Sequence, residues 1–177
     1  MKTILTIAAA AVLSACANSP MMKKGVDNAM LPEAVRAPAG AKQLMTTTGV
    51  GELTYECREK SGMAGQFEWA FVGPVATLYG ADKKTVGKYY AGPTWEAADG
   101  SKVTGKQVAI APASPGNIPL QLVKADPAMG QGAMTGVGYI QRLNTKGGVA
   151  PTAACDAVGK GKRQVVAYEA DYVFYGM

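Results

Sequence analysis

The chain has 177 residues, a formal net charge of +5, 22 glycines, 10 prolines and no histidine. That length allows one domain with tails, and the glycine and proline content fits a turn-rich fold better than a helical one. The lack of histidine excludes imidazole bases, imidazole metal ligands and every Ser-His-Asp or Cys-His nucleophile.

Lys2 gives a positive start, and Ile4 to Leu13 is an apolar run broken only by Thr6. Ten helical residues rise about 15 Å, against the roughly 30 Å of a hydrocarbon core, so the run reads as a signal sequence and not as a span. Leu13-Ser14-Ala15-Cys16 follows and resembles the lipobox of bacterial lipoproteins. Small Ser14 and Ala15 suit a peptidase subsite, and the Cys16 thiol is the atom that takes a diacylglyceryl group. Residues 1–15 are therefore expected to be a signal peptide, with Cys16 lipidated. An ordinary secretory signal with an incidental cysteine is the alternative. One acyl chain holds a protein to a membrane only marginally; the likeness to bacterial lipoproteins implies two or three. By analogy with enterobacterial sorting, Ala17 in place of Asp after Cys16 implies the outer membrane, facing the periplasm. Residues 16–38 carry Pro20, Gly25, Pro32 and Pro38 with no sustained period, and are expected to form a flexible tether.

From residue 39 to residue 177 the dominant period is two, the signature of half-buried strands. Leu53, Tyr55 and Cys57 share one face, as do Phe67, Trp69 and Phe71. In the last strand Val166, Tyr168, Ala170, Tyr172 and Phe174 fall on one side, with Glu169 and Asp171 on the other. Turn signals recur at Asp99-Gly100, Ser114-Pro115-Gly116-Asn117 and Asp126-Pro127. The prediction is an all-β domain, an antiparallel sandwich or barrel of about 8–10 strands. A short helix is expected only in the tether or near Ala153 to Val158.

With Cys16 acylated, Cys57 and Cys155 remain in an oxidising compartment and are expected to pair. Two buried free thiols are the alternative. The basic residues are scattered, with short clusters at Lys83-Lys84 and Lys160-Gly161-Lys162-Arg163. A nucleic-acid binder would gather them on one face with stacking aromatics, so no nucleic-acid partner is expected.

Two long stretches identify a relationship. One runs Tyr90-Ala91-Gly92-Pro93-Thr94-Trp95-Glu96-Ala97-Ala98-Asp99-Gly100-Ser101. The other runs Gly138-Tyr139-Ile140-Gln141-Arg142-Leu143-Asn144-Thr145-Lys146-Gly147-Gly148, then Pro151 and Cys155-Asp156. With the closing Tyr168 to Tyr175 segment, the chain resembles the bacterial and fungal "domain of unknown function 3455" family from about Leu31 to Tyr175. The resemblance implies no established activity. Some fungal relatives bear a dehydrogenase name, which these residues do not support. Relatives often have a histidine before Tyr-Ala-Gly-Pro, where Tyr89 and Tyr90 stand here, so a step that used it would be missing.

Gly130-Gln131-Gly132-Ala133-Met134-Thr135-Gly136 is one residue off a dinucleotide fingerprint, and a strand follows it in place of the helix a pyrophosphate needs. It reads as a glycine-rich turn, and neither nucleotide nor other cofactor is expected. Glu96 and Asp99 flank a tight turn; a carboxylate pair can act as acid and base on a glycoside, but solvated turn residues are the plainer reading. No run of acidic residues supplies the oxygens of a calcium site, and no metal is expected. Trp95 with Arg142, Asn144 and Thr145 is the stronger cluster. It reads either as an aromatic platform with polar neighbours for a sugar or peptide, or as a buried indole beside an arginine that pins loops. A buried Arg142 would need a carboxylate such as Glu96, Asp99 or Asp171.

The expectation is thus a cell-envelope lipoprotein, held to the membrane by its lipid, with a non-enzymatic binding or structural role. Its ligand would be a sugar, a peptide or an envelope protein. The alternative is a small envelope hydrolase using Glu96 and Asp99.

Overall fold

Residues 25–177 are described in a computed structural model. The expected signal peptide and Cys16 lie outside the described residues. Eight strands form the domain: β1 (Lys42–Glu59), β2 (Phe67–Tyr79), β3 (Thr85–Tyr90), β4 (Thr94–Ala97), β5 (Lys102–Ala111), β6 (Leu120–Ala125), β7 (Val137–Gly147) and β8 (Arg163–Gly176). Each pairs antiparallel with the next, and β8 returns to β1, so the sheet closes into a barrel. The fold is the barrel form of the expected all-β class, and no sandwich edge remains. The Ala153 to Val158 stretch makes turns and no helix.

The period of two becomes an inside and an outside. Leu53 and Tyr55 on β1, Leu78 on β2, Tyr89 on β3, Trp95 on β4, Val103 on β5, Ile140 on β7 and Tyr172 and Phe174 on β8 form one core. An eight-stranded barrel is just wide enough for side chains to fill it. Here three aromatic rings occupy the middle: Tyr89 stacks on Trp95 with centroids 4.6 Å apart, and Tyr172 meets Trp95 edge-on at 5.7 Å. Glycine makes the room: a Cβ on Gly49 of β1 would lie 2.7 Å from the Tyr172 ring.

The two ends differ. At one end the β6–β7 connection folds in and Met134, 1% exposed, plugs the lumen. The opposite end holds the β1–β2, β3–β4, β5–β6 and β7–β8 connections. There Cys57 of β1 is disulfide-bonded to Cys155 in the β7–β8 connection, the expected pairing. Trp69 Nε1 donates to Ala153 O (2.8 Å) and Tyr55 Oη to Gly148 O (2.7 Å), which hold the same connection over the β1–β2 wall.

Part of the segment expected to be a tether is instead seated on the barrel. Val26 to Ala37, with one-turn 3-10 helices at Asn28–Met30 and Glu33–Val35, crosses the outer wall of β5 to β8. Val35 is fully buried against Ala111 and Leu122, and Ala37 against Leu143, Val173 and Tyr175. The physical reason is the apolar outer face of β5 to β8 that Val35 and Ala37 cover, and the strap also supplies partners to the Gln141 amide it buries. Gln141 Nε2 donates to Asn28 Oδ1 (3.0 Å) and Val35 O (2.6 Å), and its Oε1 accepts from Tyr175 Oη (2.8 Å). An outward amide on a barrel needs such partners only if a lid covers it.

The disulfide closes a loop with a sequence separation of 98 residues. Removing such a bridge costs about 2–5 kcal/mol. A Cys57→Ala/Cys155→Ala variant is therefore expected to lose that much in denaturant unfolding. Reduction of the wild-type chain should add the mass of two hydrogens; an unchanged mass would refute the bridge.

Candidate functional site at the open end of the barrel

Unequal strand lengths build the site. On the open-end side β3 pairs with β2 only from Val75 to Tyr79, so β2 from Phe67 to Gly73 has no β3 neighbour. On the other flank β4 pairs only with Lys102–Thr104 of β5. The short β3–β4 hairpin thus stops early and leaves a notch in the wall. A cavity of about 260 Å³ opens through it, lined by Phe71, Tyr89, Pro93, Gln107, Gln121 and Arg142 among others. Gly105 belongs in the same wall: a Cβ there would press on Lys124 O and the Val123 side chain at 2.6 Å, so the close β5–β6 approach admits glycine alone.

Arg142 shares inward parity with Ile140 on β7, and the two sit one above the other along the lumen. Its Nε and Nη2 donate to Pro119 O at 3.2 and 2.9 Å. The carboxylate expected for a buried Arg142 is not there. Among the described residues Glu96 pairs with Lys88, Glu169 with Lys146, and Glu56 with Arg58 and Arg163. The arginine is only half-buried at the mouth, where solvent supports its charge, so a carbonyl suffices. That charge reaches inward to the phenols of Tyr55, Tyr89, Tyr168 and Tyr172 and favours their ionised forms. Burial wins: it pushes Tyr89 up to about 12 and raises Tyr168 and Tyr172. All are neutral donors at ordinary pH. Tyr168 Oη and Tyr172 Oη lie 3.2 Å apart.

The other anticipated site residues go elsewhere. Trp95 is 1% exposed and sealed inside the barrel behind Tyr89, so its indole is a core ring and no platform. Tyr89, which it supports, lines the cavity together with Phe71. Glu96 is on the outer wall and accepts from Tyr90 Oη (2.6 Å) beside Lys88 Nζ (3.2 Å). The Tyr90 hydrogen bond, with Lys88, holds its carboxyl below the usual range. Asp99 works at the plugged end. Its Oδ1 accepts from Ser101 Oγ (2.6 Å) and Ser101 N (2.9 Å), and its Oδ2 from Ala133 N (2.7 Å), which keep its carboxyl low too. The groove that Glu96 lines does not include Asp99. With both carboxyls held ionised and in separate roles, neither is poised as a general acid.

Asn144, which alternation alone would keep on the Arg142 face, leaves it because β7 bulges between Leu143 and Lys146. Asn144 takes a left-handed conformation (φ 49°), and its Nδ2 donates to Asp171 Oδ2 at 2.9 Å. Thr145 is buried, its Oγ1 donating to Ile118 O at 2.6 Å. They border a separate shallow groove with Leu31 and Leu120. Of the anticipated cluster, Arg142 alone lines the notch. Tyr89, Phe71, Gln107 and Gln121 were not anticipated. The inward parity of Tyr89 with Gly87 was the available signal. Among the described residues no group of three or more His, Cys, Asp or Glu side chains is placed to hold a metal ion.

A family model described as "Protein of unknown function (DUF3455)" matches residues 38–85 and 79–176. The chain belongs to this family. For the DUF3455 chain described here, no curated protein and no solved structure matches. The two matched spans cover the barrel from just before β1 to the end of β8. Every strand that frames the notch is therefore part of the DUF3455 domain.

Asp99 generates a pH prediction. Its folded-state pKa is depressed, so the stability it contributes is complete above the ordinary carboxylate value of about 4. It is lost as pH falls through the lower folded value. An Asp99→Asn variant should be less stable than wild type at pH 7, and the gap should narrow on acidification towards about pH 3. Acid titrations of thermal stability check this; a constant gap would show that the Asp99 charge is not what holds the plug loop.

Proposed function

We propose that this protein is a non-enzymatic binding module of the cell envelope, anchored by acylation of Cys16, and that the notch around Tyr89 and Arg142 holds its ligand. The anchor reading rests on the Leu13-Ser14-Ala15-Cys16 pattern after an apolar run too short to span. A disulfide between Cys57 and Cys155 fits an oxidising compartment. The binding reading is carried by one observation: a guanidinium with no carboxylate partner among the described residues lines a concave, partly aromatic cavity. Sites for small ligands combine apolar walls with a few placed polar groups. A sugar or a short peptide suits that lining.

The anchor and the mouth would lie at opposite ends. The described chain begins at Gly25, and Val26 N donates to Gln43 Oε1 (3.0 Å) at the start of β1, on the plugged-end side. Nine residue steps from Cys16 to Gly25 span at most ~32 Å. From Gln43 to Tyr55, opposite Phe71, β1 runs about 40 Å. The lipid would therefore hold the plugged end, with the mouth turned to the periplasm. The outer membrane is the expected site.

Two measurements test this. The full-length protein expressed in a bacterial host should take up a palmitate label and partition into detergent, and Cys16→Ser should abolish both. Labelling of the Cys16→Ser chain would end the anchor reading. Beads carrying the mature domain should retain a component of solubilised envelope that beads carrying Arg142→Gln retain at least tenfold less. Equal recovery on the two would remove the notch as the site.

A further inference from the structure

The donors left over at the notch select among ligands. A guanidinium has five N–H donors in one plane. Arg142 spends two on Pro119 O, through Nε and Nη2. That two-point grip on one oxygen fixes the plane of the fork. It leaves three donors on a side chain that lines the cavity. Across the cavity Gln121 Nε2 donates to Gln107 Oε1 (2.6 Å). This bond orients both amides, and leaves the Gln107 amide hydrogens and the Gln121 carbonyl without a described partner. Tyr89 adds a neutral phenol and Phe71, 53% exposed, a ring face.

The lining thus offers a cation with a planar fork, paired amides that can donate and accept, and an aromatic wall. A fork of this kind matches the two oxygens of a carboxylate. Amides of both polarities match vicinal hydroxyls, which donate and accept. A ring face matches the C–H face of a pyranose. No carboxylate of the described chain competes for the fork. The cavity, about 260 Å³, is just below the usual range of about 300–1,000 Å³ for small-ligand sites, so it fits a unit no larger than a monosaccharide.

We infer that the notch binds a sugar acid, with its carboxylate on the Arg142 fork, its hydroxyls on Gln107 and Gln121, and its ring against Phe71 and Tyr89. This rests on the notch being a binding site, as proposed above, and adds the chemical class of its ligand.

The probes are D-glucuronate and D-glucose, which differ at one carbon: a carboxylate in the first stands where the second has a hydroxymethyl group. Saturation-transfer NMR with the mature, disulfide-bonded chain measures both affinities. Glucuronate should bind at least tenfold more tightly than glucose. Arg142→Gln should bring the two sugars to within about twofold. Arg142→Lys, which keeps the charge and loses the fork, should fall between. Thermal midpoints of the variants report whether the loss of the Pro119 contact has disturbed the fold, and Gln107→Ala, distant from Pro119 in sequence, should weaken both sugars together. Equal affinities in wild type, or glucuronate binding unaffected by Arg142→Gln, would overturn the inference. So would the absence of saturable glucuronate binding. In that last case the envelope capture experiment still decides whether the notch binds at all, so the two failures are distinguishable.

Discussion

Closure of the sheet between β1 and β8 governs the molecule. The pairing runs from Lys42 opposite Gly176 to Glu56 opposite Arg163, and on its other edge β1 pairs with β2 from Thr48 to Glu59. One strand thus carries hydrogen bonds on both sides from Thr48 to Glu56, half its length, and barrel closure removes the open edges that would pair with other chains, except where β2 runs on past the β3–β4 hairpin. Closure also fixes how much room the interior has. Eight strands enclose a space that side chains can fill, and here they do: Gly49 on β1 yields its share to the ring of Tyr172. The stacked Tyr89 and Trp95 complete the filling. The interior is a core, so any ligand must be met at an end.

Of the two ends, the protein shuts one firmly. Asp99 ties the β4–β5 turn to Ser101 and to the backbone of Ala133, and Ser101 Oγ accepts from Met134 N (3.1 Å). The glycine-rich stretch from Gly130 to Gly136 is what lets this loop fold back tightly. Gly132, at φ 152°, has the Asp99 carboxylate where a Cβ would stand. At the other end the strands have unequal heights, and β3–β4 stops while β2 goes on. The exposed β2 edge is a hazard, and the chain limits it. The wall is bent there by a bulge between Thr54 and Tyr55 opposite Val72, and the disulfide-held connection covers the neighbouring strand.

Alternation with a period of two makes the inward faces legible in the sequence itself. Leu53, Tyr55 and Cys57 on β1, and Val166 to Phe174 on β8, turn in as alternation requires. The Asp99-Gly100 turn and the Cys57–Cys155 bridge are equally readable. Trp95 is harder. Parity places it with Ala97 on one face, but only closure tells that the face is the lumen and that Tyr89 lies between the indole and the cavity. Asn144 misleads for a different reason: a bulge shifts parity, and nothing in Leu143-Asn144-Thr145-Lys146 announces one except the tolerance of Asn for φ > 0. The strap over β7 and β8 has a sequence trace that alternation alone hides. Beyond Asp171 the outer face of β8 turns apolar with Val173 and Tyr175, and an outward apolar pair calls for cover.

Arg142 is the residue whose presence stability does not explain. Its neighbours along the inward face of β7 and β8 are Ile140, Tyr172 and Phe174, all fully buried. An apolar side chain at the same place would extend that core toward the mouth, burying area at about 25 cal/mol per Å² with no charge to hydrate. The arginine forgoes this and settles for one backbone carbonyl, with its charge bearing on four phenols that burial keeps neutral. A fold that only had to stand would not arrange this. Departures from local stability of this kind concentrate where a protein meets a ligand. The notch is also the break in the barrel wall that the short β3–β4 hairpin leaves open, so the charge and the access coincide.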